Sequence, residues 1–98
     1  MAVYEIVLKA SAIADLDALR KFDAVQIADA MEKHLRHTPT KESKSRIKRL
    51  RGVSSPEYRL RAGDYRVFYA IDADGHRVEV LRVMHKDQTA SYYEELKG

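Results

Sequence analysis

The sequence predicts an α+β fold: an N-terminal strand and a two-helix hairpin, then a three-stranded antiparallel meander and a short C-terminal helix. Three observations indicate it. Apolar and polar residues alternate with period two in Val3–Lys9 and again after Tyr58, apolar residues between them recur at helical spacing, and short turn sequences join the later strands. The 98 residues show no repeat and no linker, so residues 1–98 are predicted to form one domain.

The composition excludes several classes of protein. The chain contains no cysteine, which rules out disulfides and thiol chemistry. No segment approaches the roughly 20 apolar residues that a membrane span requires, and the first residues lack the pattern of a signal peptide. We therefore expect a cytoplasmic protein with no membrane partner.

Two helices are predicted after the first strand. Ser11 is suited to cap a helix over about Ala12–Lys21. Asp23 followed by Gln26 resembles a capping box that opens a second helix, and Thr38-Pro39 is expected to stop it. The two helices should pack side by side as an antiparallel pair.

The second half is predicted to supply the sheet. Thr40–Pro56 is polar and poorly periodic, so we expect a loop with either one turn of helix or an edge strand near Ile47. Arg77–Met84 carries apolar residues on both faces, which is typical of a central strand. A tail helix is predicted over about Thr89–Leu96, and all helices are expected to cover one face of the sheet.

The most informative segment is a hairpin whose turn is Gly63-Asp64. Glycine in the first position favours a type II′ turn, and a two-residue loop fixes the register. Arg61 should then face Arg66, while Arg59 lies beside them on the same face. Because like charges opposed across a ladder are destabilising, this face is predicted either to bind an anion or to be a solvated basic surface.

Basic residues are also concentrated just before this hairpin. The net charge is only +3, but residues 41–51 hold six basic side chains and one acidic one. Such asymmetry is typical of a surface that contacts nucleic-acid phosphates. The residues predicted to bind an RNA backbone are Lys44, Arg46, Lys48, Arg49, Arg51 and Arg59.

His85 and Tyr92 are the other candidates for chemistry. His85 ends the central strand, and imidazole ionises close to neutral pH. Tyr92 can stack on a base. The alternatives are an exposed strand end for His85 and a packed helical ring for Tyr92, and the neighbouring Tyr93 leaves open which ring points inward.

Neither a metal nor a cofactor is expected. His34 and His37 lack a third ligand at suitable spacing, and the chain has no glycine-rich phosphate loop. Arginines, a histidine and a tyrosine instead suit RNA cleavage by internal attack of the 2′-hydroxyl, which needs a base, an acid and cations around the phosphate.

The order of elements and several motifs resemble the RelE/ParE superfamily of type II toxin–antitoxin toxins. The matching segments are Lys48–Gly52, Tyr58–Arg61, Gly63–Tyr69, Val80–Lys86 and Tyr92. The resemblance covers nearly the whole chain and implies a RelE-like fold.

The RelE branch consists of small ribonucleases that cut messenger RNA in the ribosomal A site. The resemblance implies that Arg61, Arg66, Lys86 and Tyr92 carry catalysis, with Arg59 beside them. The best-known member has lysines where Arg59 and Arg61 stand, and arginine cannot readily release a proton. His85 is the natural replacement as general base.

The same resemblance leaves two alternatives. The ParE branch shares the scaffold but inhibits DNA gyrase, and an inactive antitoxin-binding scaffold is a third class. Family members are neutralised by a small, often acidic antitoxin. The expected partners are therefore a RelB-like antitoxin, the ribosome and messenger RNA.

Overall fold

A five-stranded sheet organises this chain, and the computed structural model describes residues 3–98. The strands run in the order β1-β5-β4-β3-β2. β1 pairs with β5 in parallel, and the other neighbours are antiparallel. The elements are β1 (Glu5–Leu8), α1 (Ala10–Asp17), α2 (Lys21–Leu35), β2 (Ile47–Arg49), β3 (Tyr58–Ala62), β4 (Tyr65–Asp72), β5 (Arg77–His85), a 3₁₀ turn (Lys86–Gln88) and α3 (Thr89–Lys97).

The predicted α+β fold is confirmed, including the edge strand at Ile47 and the central position of β5 between β1 and β4. The hairpin register is also confirmed, because Arg61 pairs with Arg66 and Arg59 with Phe68. Gly63 has a φ of +61°, the left-handed value that a glycine adopts without strain at the first turn position.

The main core lies on one face of the sheet, under α1 and α2. Ile27, Met31 and Leu35 of α2 follow helical spacing and are buried there. They pack with alternate residues of the strands, among them Leu60 and Val67, both fully buried. This alternation leaves the intervening residues of β3 and β4 on the opposite face.

The predicted helix starts were wrong. α1 begins at Ala10 after Lys9, and α2 begins at Lys21 after Arg20, and neither start has a side-chain cap. Asp23 lies inside the first turn of α2, where its carboxylate still favours the positive end of the helix. Packing of the apolar faces therefore sets these boundaries more strongly than the cap residues do.

The expectation that all helices cover one face was also wrong. α3 packs on the face opposite to α1 and α2, over a second cluster formed by Phe68, Met84 and Tyr92. Phe68 is fully buried there, although it lies next to Arg59 in the register. Half of this face is thus a small apolar core, and the other half carries the arginines.

α1 closes the edge of β5 beyond the end of β1. The Asp15 carboxylate accepts hydrogen bonds from the Val83 backbone N–H at 2.8 Å and from Arg82 Nε at 2.8 Å. It thereby satisfies the Val83 backbone N–H, which lies on the part of the β5 edge that is not paired with β1. Among residues 3–98, no helix has the length and apolar character needed to cross a membrane.

Candidate nucleic-acid interface

Three arginines of the hairpin share the sheet face that α3 leaves open. Arg59 and Arg61 alternate with buried residues of β3, and Arg66 lies opposite Arg61 on β4. Lys48 of β2 pairs with Arg59 in the register and extends the row toward the sheet edge. The row of cations that the hairpin pattern predicts is therefore present on one face of the sheet, and its binding of an anion stays a prediction.

These side chains line a cleft of about 190 Å³, which we call the phosphate cleft. Its walls are Lys44, Ser45, Arg46, Lys48, Arg59, Arg61 and Arg66. Six of these seven residues are cationic, and none of the lining residues in the described part of the chain is acidic. Such a concentration of one charge raises the local concentration of anions.

Arg66 is the most constrained of the three hairpin arginines. Its Nη1 donates to the carbonyls of Gly63 and Tyr65, each at 2.9 Å. Burial lowers the pKa of Arg66, and the positive charges of Arg59 and Arg61 lower it further. The guanidinium is thus held in place among like charges, which an arriving phosphate would neutralise.

The basic loop is fastened to the hairpin through Arg46. Its Nη1 donates to the Arg61 carbonyl at 3.2 Å, and the Arg61 backbone N–H donates to the Arg46 carbonyl at 2.8 Å. The Ser43 hydroxyl accepts from the Arg46 backbone N–H at 2.9 Å. These bonds bring the loop cations to the same cleft as the hairpin arginines.

A second cleft of about 260 Å³ adjoins the first, and we call it the aromatic cleft. Its lining residues are Lys48, Arg49, Leu50, Arg51, Val53, Arg59, Tyr93 and Lys97. Lys48 and Arg59 line both clefts, so they form a shared wall. Arg59 Nη1 donates to the Tyr93 hydroxyl at 3.1 Å, which ties α3 to the arginine face.

Two of the predicted RNA-binding arginines have different surroundings. Arg51 is exposed and lines the aromatic cleft. The guanidinium of Arg49 lies over the Tyr58 ring at 5.3 Å, and its Nη1 donates to the Tyr58 hydroxyl at 3.1 Å. Tyr58 belongs to the main core, so the Arg49 guanidinium packs on the face away from the phosphate cleft.

The structure places His85 apart from the arginines. Met84 packs under α3, so alternation directs His85 to the other face, where its ring meets Tyr65 edge-on with centroids 5.5 Å apart. Its Nδ1 accepts from the Asp87 backbone N–H at 3.1 Å. The assignment of His85 as general base stays a prediction, and the imidazole does not line either cleft.

Lys86 and Tyr92 are not brought to the phosphate cleft either. The Lys86 ammonium lies 3.5 Å from the Asp64 carboxylate at the hairpin turn. The Tyr92 ring packs against Phe68 with centroids 4.8 Å apart, and burial raises the pKa of its phenol. Catalytic roles for both residues remain predictions.

Tyr93 is the tyrosine of α3 that reaches the arginine face, a choice between Tyr92 and Tyr93 that the sequence left open. Adjacent helical residues point about 100° apart, so the rotation of α3 about its own axis decides whether Tyr92 or Tyr93 faces the arginines. This rotation follows from packing on Phe68, which contacts both rings. Phe68 of β4 is apolar although its register partners are Arg59 of β3 and Arg82 of β5, and this was the available sign that a helix covers this face.

Comparison with known proteins identifies the family. The model of the ParE toxin of the type II toxin–antitoxin system parDE matches residues 6–90. Toxin RelE of Mycobacterium tuberculosis is 34% identical over 89 residues, covering 91% of this chain and 86% of that protein.

Solved structures of similar proteins share the fold. The toxin–antitoxin complex RelBE2 of Mycobacterium tuberculosis contains a chain that superposes with a TM-score of 0.73 at 26% identity, covering 86% of this chain and 99% of that one. The isolated E. coli RelE toxin gives a TM-score of 0.69 at 23% identity, with 96% of each chain covered. The family model, the Mycobacterium tuberculosis relative and the fold all indicate the same family. The chain belongs to the RelE/ParE superfamily of type II toxin–antitoxin toxins.

Proposed function

We propose that this toxin is a ribosome-dependent endoribonuclease that cuts messenger RNA and so inhibits translation. The observation that carries the proposal is the phosphate cleft, where Arg59, Arg61 and Arg66 converge without an acidic neighbour among its lining residues. Guanidiniums bind phosphate oxygens through paired N–H groups, so a rigid set of three suits a phosphate whose charge increases during reaction.

The proposed reaction is attack of a ribose 2′-oxygen on the adjacent phosphorus. A bond forms from the 2′-oxygen to phosphorus, and the bond from phosphorus to the 5′-oxygen breaks. The 2′-hydroxyl proton passes to a base, and the leaving 5′-oxygen receives a proton from an acid. The products are a 2′,3′-cyclic phosphate and a free 5′-hydroxyl, with the charge of the intermediate neutralised by arginines of this chain.

Lys48 is the residue that we assign as proton acceptor on the arginine face. Arginine does not give up its proton in proteins, so the hairpin guanidiniums are unsuited to the role. Lys48 lies opposite Arg59 in the register and lines the phosphate cleft. Lysine amines, unlike guanidiniums, serve as general bases in enzymes.

We propose that a RelB-like antitoxin neutralises the toxin, as the toxin chains in the similar RelBE2 structure are bound in a toxin–antitoxin complex. Phe22 and Val25 support this, because they lie three residues apart on α2 with 68% and 50% of their surface exposed. Exposed apolar neighbours of this kind mark interaction surfaces. Phe22→Ser should weaken neutralisation by the cognate antitoxin and leave cleavage unchanged.

The test is cleavage of a message on purified translating ribosomes. We expect cuts within the coding sequence that end in 2′,3′-cyclic phosphates. A message carrying a single 2′-deoxynucleotide at the cut position should resist cleavage there, because the attacking hydroxyl is missing. Cutting of the 2′-deoxy message at the same position would contradict the proposed reaction.

The second candidate is inhibition of DNA gyrase, which the ParE description of the matching family model favours. A supercoiling assay with purified gyrase separates the two functions. Inhibited supercoiling together with intact ribosome-bound messages would place the chain in the gyrase class. Activity in neither assay would indicate an inactive scaffold that binds an antitoxin.

A further inference from the structure

Ser45 is the neutral member of the phosphate cleft. Of the described residues that line this cleft, Ser45 alone carries a hydroxyl group, and the other six carry positive charges. The residue is exposed and lies in irregular backbone just before β2, where an enzyme can reach it from solvent. A hydroxyl group inside a cationic cleft is a suitable attachment point for an anionic modification.

The other serines of the two neighbouring loops differ from Ser45. The Ser43 hydroxyl accepts hydrogen bonds from the backbone N–H groups of Arg46 at 2.9 Å and Ile47 at 3.2 Å. It holds the turn that leads into β2, and a phosphate group on it would displace these bonds. Ser54 is exposed in irregular backbone but lines neither the phosphate cleft nor the aromatic cleft. Ser45 is therefore the serine of these loops whose modification would meet the arginines and leave the turn intact.

A phosphate group on Ser45 would match the cleft in charge and in hydrogen bonding. Phosphoserine carries a charge of about −1.5 to −2 near neutral pH and three acceptor oxygens. Opposite a cluster of arginines, such a group forms charge-assisted hydrogen bonds. It would also relieve the repulsion between Arg61 and Arg66, which face each other across the hairpin. The modified loop would thus be drawn onto the hairpin.

The position of Ser45 in the chain gives such a phosphate an advantage over a phosphate of the message. Arg46, the next residue, exchanges hydrogen bonds with Arg61 through its side chain and its backbone, so Ser45 is held beside the hairpin. A group on a short tether acts at an effective concentration on the order of millimolar. The tethered phosphate would occupy the guanidiniums that a message would otherwise contact.

We propose that Ser45 is a phosphorylation site and that its phosphate group occupies the phosphate cleft, which switches off RNA binding. The inference rests on the proposed ribonuclease function and adds a means of regulating it. The Ser45 oxygen attacks the γ-phosphorus of ATP, the bond from that phosphorus to the bridging oxygen breaks, and ADP leaves. The hydroxyl proton passes to a base of the protein kinase. Because Lys44 and Arg46 flank the site, we expect a kinase with an acidic substrate groove.

The first experiment compares toxin phosphorylated at Ser45 alone with toxin phosphorylated at Ser54 alone, each made by incorporating phosphoserine during translation. The second ionisation of phosphoserine occurs near about pH 6. Phosphorus NMR should show the Ser45 phosphate ionising at lower pH than the Ser54 phosphate, because the six cations of the cleft favour the dianion. Equal ionisation midpoints would overturn occupation of the cleft.

The same two proteins test whether the cleft is closed to other anions. Inorganic phosphate should raise the melting temperature of toxin phosphorylated at Ser54 and of unmodified toxin, but not that of toxin phosphorylated at Ser45. On translating ribosomes, phosphorylation at Ser45 should slow cleavage about 10² to 10³-fold, because the guanidinium donors are occupied. Phosphatase treatment should restore the rate. Undiminished cleavage by toxin phosphorylated at Ser45 would contradict the switch.

The second experiment tests whether Ser45 is modified at all. Purified toxin is incubated with an extract of host cells and ATP labelled at the γ-phosphate, and mass spectrometry identifies the labelled residue. We expect label on Ser45, which Ser45→Ala should abolish and Ser54→Ala should not. Absence of label from Ser45 would overturn the assignment. Because NMR and unfolding require no cleavage, a toxin that is inactive in every form but meets both expectations would contradict the proposed function and not the phosphorylation site.

Discussion

Arg61 and Arg66 lie directly opposite each other across the β3–β4 hairpin, on the sheet face that also carries Arg59. Burial lowers the pKa of Arg66 first, and the charges of Arg59 and Arg61 lower it further. Two guanidiniums in this arrangement repel each other when the cleft holds no anion. The repulsion links the stability of the free toxin to anion binding.

The first prediction concerns Arg61→Gln. Removing one of two opposed charges should raise the free energy of unfolding by about 0.2–1 kcal/mol, toward the lower end because Arg61 is exposed. Inorganic phosphate should raise the melting temperature of the wild type through binding to the folded state, and less so that of the variant. Thermal unfolding with and without phosphate measures both effects, and equal phosphate shifts would contradict anion binding at this pair.

The second prediction concerns the rate of cleavage. Arg66→Ala removes a preorganised donor, so the single-turnover rate on ribosomes should fall about 10² to 10³-fold. Arg66→Lys should recover part of it, since an ammonium keeps the charge and loses the paired geometry. Arg20→Ala is the matched control, because that side chain is 83% exposed on the opposite side of the sheet. A fully active Arg66→Ala protein would show that the arginine face does not contribute to cleavage.

The hairpin could be predicted in full because its information is local. Gly63-Asp64 sets a two-residue turn, and alternation then assigns every side chain to a face. The position of α3 could not be predicted, since it depends on contacts between Phe68 and residues about 25 positions later. The choice between Tyr92 and Tyr93, and the face occupied by His85, follow from that packing.

The third prediction concerns the salt dependence of ribosome binding. Each lost phosphate contact should reduce the slope of log affinity against log salt by about 0.7–0.9. Changing Lys44, Arg46 and Lys48 to glutamine should therefore flatten the slope by about 2 to 3. The triple change of Lys9, Lys21 and Lys33 to glutamine is the matched control, because it removes the same charge from the residue before α1 and from α2. Equal slopes for the two triple variants would mean that the loop acts through net charge alone.

The fourth prediction separates two candidates for the general base. His85 lies against Tyr65 on the opposite face, so we expect His85→Gln to cut at the wild-type single-turnover rate. Lys48→Arg keeps the positive charge but cannot accept a proton, and it should lose about 10² to 10⁴-fold. The opposite result, a slow His85→Gln and an active Lys48→Arg, would support the histidine assignment made from the sequence.

The fifth prediction concerns stability at alkaline pH. Tyr69 is fully buried and donates to the Pro39 carbonyl at 2.6 Å, and burial raises the pKa of its phenol well above the ordinary value. Its contribution is therefore complete below the unfolded pKa of about 10 and declines as the pH rises above it. Tyr69→Phe should destabilise the protein near neutral pH by about 1–3 kcal/mol. Urea unfolding should show this deficit shrinking above about pH 10, and a constant deficit would contradict the assignment.

The Asp15 carboxylate accepts a backbone hydrogen bond at the edge of β5, as a carbonyl of a neighbouring strand does elsewhere in the sheet. A genetic selection for survivors of toxin expression will therefore collect substitutions of two origins. Changes at the arginine face should yield folded, soluble proteins that still capture the antitoxin. Changes at Asp15 should expose a strand edge and yield protein that is degraded or insoluble. Measuring the amount of soluble toxin in each survivor distinguishes variants that have lost activity from variants that have lost the folded protein.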